Sequence, residues 1–196
     1  MNPMKKETLF LDFDGPLFPS RWVRYHAGNN KPYQGRVKMT DRVNYWVMDP
    51  MSVELLNFLH NIFPFQTVVS SSWRRFVTKE QCEDLFLTNG LKLHLADNWC
   101  TAETERRMSD YKCYRAPEIK EYINKNKITE YLILDDDGSG SSLREVLNGE
   151  ESPLNKNRIV LVDEDLGIGS NQHRSMLSIV KQWAGIKPTI WETMLW

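Results

Sequence analysis

The sequence predicts an α/β domain built on a mainly parallel, five-stranded sheet with helices on both faces. Three observations predict it. Five short apolar runs alternate with segments of helical periodicity. Three of those runs end in polar residues, where open α/β sheets bind their ligands. The length, 196 residues, suits one domain.

The elements follow in order. Residues 8–13 (TLFLDF) are the first apolar run and the first strand. Asp49 and Pro50 read as the N-cap and first residue of a helix. Its apolar positions Leu55, Leu56, Leu59 and Ile62 fall at helical spacing. Residues 65–70 (FQTVVS) form the second strand, and residues 78–88 a helix stopped by Asn89-Gly90. Residues 91–95 predict a weaker third strand. Pro117 marks the start of a helix carrying Ile119, Tyr122 and Ile123. Residues 131–134 are the fourth strand, followed by three aspartates. A short helix over 141–148, a fifth strand over 158–162 and a helix over 171–183 complete the series. The tail, 184–196, carries Trp191 and Trp196 and has no assigned place. Residues 15–49 break the rhythm, because they exceed an ordinary βα connection. They read as a flap or small cap-like insertion within a single domain spanning 1–196.

Composition narrows the function classes. Lys and Arg number 25 against 26 Asp and Glu, so the chain is not a globally basic nucleic-acid binder. Three cysteines, Cys82, Cys100 and Cys113, form no CxxC pair, which argues against a disulfide framework or a zinc knuckle. The opening MNPMKKETLFLDFDG is broken by Asp12 and Asp14 and does not read as a signal peptide. No apolar stretch approaches the ~18 residues of a membrane span. A cytoplasmic protein is the expectation.

The chemistry-bearing residues sit at strand ends. The first strand ends Asp12-Phe13-Asp14-Gly15, the second Ser70-Ser71-Ser72, the fourth Asp135-Asp136-Asp137-Gly138. If these strands are neighbours, all three motifs converge on one crevice. Carboxylates from two strands would then crowd together, at a cost unless a cation is present. Hard oxygen ligands with open water positions favour Mg²⁺.

The pattern resembles the haloacid dehalogenase-like (HAD) superfamily of phosphohydrolases. Its first motif, a hydrophobic strand and DxD, stands here as LFLDFDGPLF. The second, a strand ending in Ser or Thr, stands as TVVSSSWR, and the fourth, a strand ending in acids, as YLILDDDG. The third, a basic residue at the head of the intervening helix, is best matched by Arg115 in RAPEIKEYI, with Lys112 and Lys120 nearby. The finer pattern is most similar to the small HAD-type domains of RNA-repair proteins. One departure is Pro16, where the family usually has Thr or Val. The resemblance implies a three-layer Rossmann-like fold and a Mg²⁺-dependent phosphatase acting through an aspartyl-phosphate. It implies Asp12 as nucleophile and Asp14 as general acid and base. It further implies Asp12, the Asp14 carbonyl, Asp135 and Asp136 as metal ligands, with Ser70, Ser71 and Arg115 on the phosphoryl oxygens.

Plainer readings compete for several of these residues. An EF-hand register started at Asp135 needs Glu at its twelfth position and finds Val146. The serine run could cap the next helix, and Arg115 could be a solvated helix-start charge. Asp137, Asp163 and Asp165 fit turn roles better than ligation. From Pro16 to Met48 the insertion is strongly basic: Arg21, Arg24, Lys31, Arg36, Lys38 and Arg42 stand against one acid, Asp41. Trp22, Tyr25, Tyr33, Tyr45 and Trp46 are interleaved, and Arg74 and Arg75 add charge beside the crevice. Basic groups with aromatic faces suit a nucleotide or a nucleic-acid end, with Arg21 and Arg24 as candidate contacts. The alternative is a flap whose aromatics pack on the sheet and whose charges are solvated. No large cap fits between the second and third motifs. A protein or small-metabolite phosphatase, and a non-catalytic HAD-like binding module or effector, are the rival functions.

Overall fold

A computed structural model describes residues 7–29, 46–102, 115–138, 141–149 and 154–187. Its core is a five-stranded, all-parallel sheet: β1 (Thr8–Leu11), β2 (Gln66–Val69), β3 (His94–Cys100), β4 (Tyr131–Asp136) and β5 (Ile159–Val162), in the order β3-β2-β1-β4-β5. Six α-helices are described: α1 (Ser20–Asn29), α2 (Pro50–Ile62), α3 (Lys79–Thr88), α4 (Arg115–Asn126), α5 (Ser141–Asn148) and α6 (Ser170–Trp183). None is long and apolar enough to cross a membrane.

Strand alternation divides the core in two. Leu9, Leu11, Val69, Leu132 and Leu134 pack with Leu56 of α2, Leu85 of α3 and Met176 of α6. Phe10, Val68 and Ile133 point the other way, onto Ala116 and Ile119 of α4 and Leu143 of α5. Neighbouring residues on one strand thus serve opposite faces, as the period of two requires. This is the three-layer α/β arrangement.

Local signals explain the element ends. Asp49 caps α2 by accepting from the Ser52 backbone N–H at 3.1 Å, and Pro50 follows at N1. Thr78 and Gln81 close a capping box on α3. Two expectations need correction. The third strand lies over His94–Cys100 rather than 91–95. Leu91 and Leu93 are buried in the connection before it, so their apolar signal marked core contact and not pairing. The 15–49 segment also contains α1, whose Ser20 and Arg21 N–H groups donate to the Glu164 and Asp165 carbonyls after β5. Within that segment Lys31, Tyr33, Arg36, Lys38, Asp41, Arg42 and Tyr45 lie outside the described residues, as do Lys112, Cys113, Trp191 and Trp196. Cys82 and Cys100 are free thiols, and burial pushes Cys82 up to about 12.

Candidate active site

The sheet register assembles the site. Leu11 pairs with Val69 on one side and Leu134 on the other. One step further along each strand stand Asp12, Ser70 and Asp135. The Asp12 N–H donates to the Leu134 carbonyl and the Ser70 N–H to the Leu11 carbonyl, both at 2.9 Å. These three residues share strand parity with Phe10, Val68 and Ile133, so they belong to the α4 face. Arg115 opens α4 on that face. Its Nε lies 2.9 Å from Asp135 Oδ2 and its Nη2 3.4 Å from Asp12 Oδ1. Arg115 is therefore a buried, doubly engaged cation, not a solvated helix-start charge, whereas Lys120 faces solvent.

Asp12, Asp135 and Asp136 are all buried and present oxygens within 4.8 Å of one another. Burial raises Asp12 to about 7, opposed by Arg115 and reinforced by Asp14. Burial, and then Asp12, push Asp135 well above the ordinary carboxylate range. Three buried carboxyl groups lie together, with one guanidinium against two of them, and the raised pKa values of Asp12 and Asp135 show that full ionisation is opposed without further positive charge. That donor set, hard and oxygen-only, fits a divalent cation of the Mg²⁺ type. The Asp14 side chain lies outside this trio; for Asp14 the expected ligand atom is the backbone carbonyl.

Asp14 has its own partner. Trp73 Nε1 donates to both carboxylate oxygens, at 3.1 and 3.2 Å. Burial raises the Asp14 pKa, the indole hydrogen bond lowers it, and Asp136 raises it again. The loop between Asp14 and α1 is a tight turn in which the Leu17 and Phe18 N–H groups both donate to the Phe13 carbonyl. Gly15 sits there at φ +80°, and a Cβ on it would stand 2.5 Å from Asp136 Cβ. Pro16 is accommodated inside this turn.

The serine run divides its work. Ser71 caps the short 3₁₀ turn Ser72–Arg75 by accepting from the Trp73 N–H at 3.3 Å, so the capping reading holds for it. Ser71 also hydrogen-bonds Asp12. The Ser70 hydroxyl is buried with no hydrogen-bond partner among the described residues. An orphaned hydroxyl beside a carboxylate cluster is a costly feature unless a ligand satisfies it.

The basic residues separate. Arg24 forms an exposed ion pair with Asp165, and the Arg21 side chain is exposed; both lie on α1, outside the buried cluster. Arg74 is spent on Glu118, at 2.7 Å with both side chains buried. Among the aromatics, Trp46 packs on Phe18 and Trp73 at 5.7 and 5.2 Å. Trp22 stacks with Tyr25 at 6.0 Å, and Tyr25 remains 62% exposed. Asp137 pairs with Arg144, and Asp163 accepts from the Asp165 and Leu166 N–H groups, both turn roles. Trp73 and Glu118 were not singled out from the sequence. Their only signal was adjacency, Trp73 after the serine run and Glu118 one turn beyond Arg115.

No curated protein and no solved structure matches this chain. Residues 8–172, most of its length, match the family described as the HAD domain in Swiss Army Knife RNA repair proteins. With its DxD strand, its serine-ended strand and its acid-ended strand meeting in one buried crevice, this chain belongs to that family of HAD domains.

Proposed function

We propose that the protein is a Mg²⁺-dependent phosphomonoester hydrolase working through an aspartyl-phosphate, with a nucleotide or phosphorylated nucleic-acid end as substrate. The observation that carries this reading is the in-register meeting of Asp12, Ser70 and Asp135 with Arg115 against two of them.

In the first step an Asp12 carboxylate oxygen attacks phosphorus, the ester P–O bond breaks, and Asp14 gives its proton to the departing oxygen. In the second, the Asp14 carboxylate takes a proton from water as that water attacks phosphorus, releasing phosphate and restoring Asp12. Ser70, Ser71 and Arg115 hold the phosphoryl oxygens as charge develops on them. Asp12 must be ionised to attack, and the pKa raised by burial opposes this. A Mg²⁺ held by Asp12, Asp135, Asp136 and the Asp14 carbonyl would supply the positive charge that keeps Asp12 ionised and draws the phosphoryl group in.

Two features support the substrate class. The matched family is described through RNA repair proteins. On α1, Arg21, the Arg24 of the Arg24–Asp165 pair and Tyr25 are exposed, charge for phosphates and a ring for a base.

The test is phosphate release with Mg²⁺ from mononucleotides, 3′- and 5′-phosphorylated oligonucleotides, phosphopeptides and sugar phosphates. Turnover should be highest on a nucleotide or oligonucleotide end, fall with rising salt, and vanish in Asp12→Asn. Full activity in Asp12→Asn, or no turnover on any substrate, would refute the reading.

A further inference from the structure

We propose that Trp73 is a positioning residue for Asp14, holding its carboxyl for proton transfer to the leaving group. This rests on the phosphohydrolase reading above and assigns a role to a residue outside its motifs.

The geometry is specific. The indole N–H reaches both Asp14 oxygens at nearly equal distances, 3.1 and 3.2 Å. A donor centred on both oxygens fixes the rotation of the carboxyl group, where a contact to one oxygen would leave it free to swing. The ring itself is held on several sides and is 1% exposed. Phe18 stacks on it at 4.9 Å and 5°, while Phe13 and Trp46 meet it edge-on at 5.4 and 5.2 Å. Its own backbone N–H is tied to Ser71 Oγ. One residue thus joins the end of β2 to the loop after β1.

The chemistry of the donor also fits. An indole N–H donates only and has no acceptor site. It cannot take the Asp14 proton, so that proton is left for the substrate oxygen. When the P–O bond breaks and the proton departs, Asp14 becomes a carboxylate, the form an N–H donor favours. A serine or histidine at this position would offer the proton a competing acceptor. Phe18 comes from the first residues of the 15–49 segment and Trp46 from its last ones, so both ends of that segment bear on Asp14 through Trp73.

Leaving groups separate this role from a merely structural one. An acid matters for an alkoxide leaving group and little for a nitrophenolate. In the full chain, Trp73→Phe should lose about ten-fold or more in kcat/KM on a nucleoside monophosphate. On p-nitrophenyl phosphate the loss should stay within about three-fold. Equal losses on both substrates would overturn the proposal. A second measurement leaves the core intact. One of the seven Trp indole N–H resonances should lie downfield, vanish in Trp73→Phe and move upfield in Asp14→Asn. Indole resonances unchanged in Asp14→Asn would overturn the proposal whether or not Trp73→Phe folds. If the wild-type chain has no turnover while the indole shift is present, the phosphohydrolase reading is what fails, and the assigned role falls with it.

Discussion

At Asp12, burial and neighbouring acids favour the protonated carboxyl while Arg115 favours the ionised one, and burial dominates, raising the pKa from 3.8 to about 7. Asp135 is shifted in the same direction. A folded-state pKa above the unfolded value means that the native protein binds the proton more tightly. The associated stability is fully present below about pH 4 and is lost as pH rises through about 7. Acid denaturation elsewhere in the chain masks such a trend, so the comparison is with Asp12→Asn, which has no carboxyl there to titrate. In urea titrations under EDTA, wild type minus Asp12→Asn should fall steadily from pH 4 to pH 7. A flat difference would mean that Asp12 is not held in a proton-retaining site. The acids themselves were readable in the sequence because each stands at the end of an apolar run. Trp73 was not, because its partner Asp14 is 59 positions away and only the folded sheet brings them together.

Elements built from continuous apolar runs were legible for the same reason that they are buried. Thr8–Leu11 and Tyr131–Asp136 lie in the sheet interior, and every residue of both is buried. β3 is different: it is an edge strand with an irregular register against Thr67 and Val69, and its residues are mostly exposed or half-buried. An edge strand carries little hydrophobic signal, so the nearby Leu91 and Leu93 drew the assignment to themselves. α1 was hidden by its surroundings, since aromatic and basic residues fill a segment that reads as loop. The turn between β1 and α1 is where backbone and site depend on each other most closely. Gly15→Ala would place a side chain at φ +80° and drive a Cβ to 2.5 Å from Asp136 Cβ. Strain of that kind costs of order 1–3 kcal/mol before any clash is counted. The variant should melt at lower temperature and lose Mg²⁺-dependent turnover together, because relief of the contact displaces Asp136. Unchanged melting and turnover would show that Asp136 has room to move without consequence.

Over the whole molecule the site is a product of strand order. β1 lies at the centre, with β2 and β4 on either side, so the switch in connection direction opens a crevice above Asp12. One wall comes from the α2, α3 and α6 face, where Phe13, Phe18 and Trp73 pack. The other comes from α4, whose Arg115 is 103 positions from Asp12. The chain is nearly neutral overall, yet this crevice gathers buried acids, and burying like charges without a counter-ion opposes folding. A cation that binds there should therefore stabilise the whole fold. At 100 times its dissociation constant, Mg²⁺ would add about 2.7 kcal/mol. In a chain of this size that corresponds to a rise in Tm of about 5–10 °C. The rise should be seen with millimolar Mg²⁺ at pH 7.5, be absent with the same ionic strength of KCl, and be lost in Asp135→Asn. It should shrink at pH 5, where protons compete for the same carboxylates. A shift of equal size in Asp135→Asn would place the stabilising ion elsewhere and separate the acid cluster from metal binding.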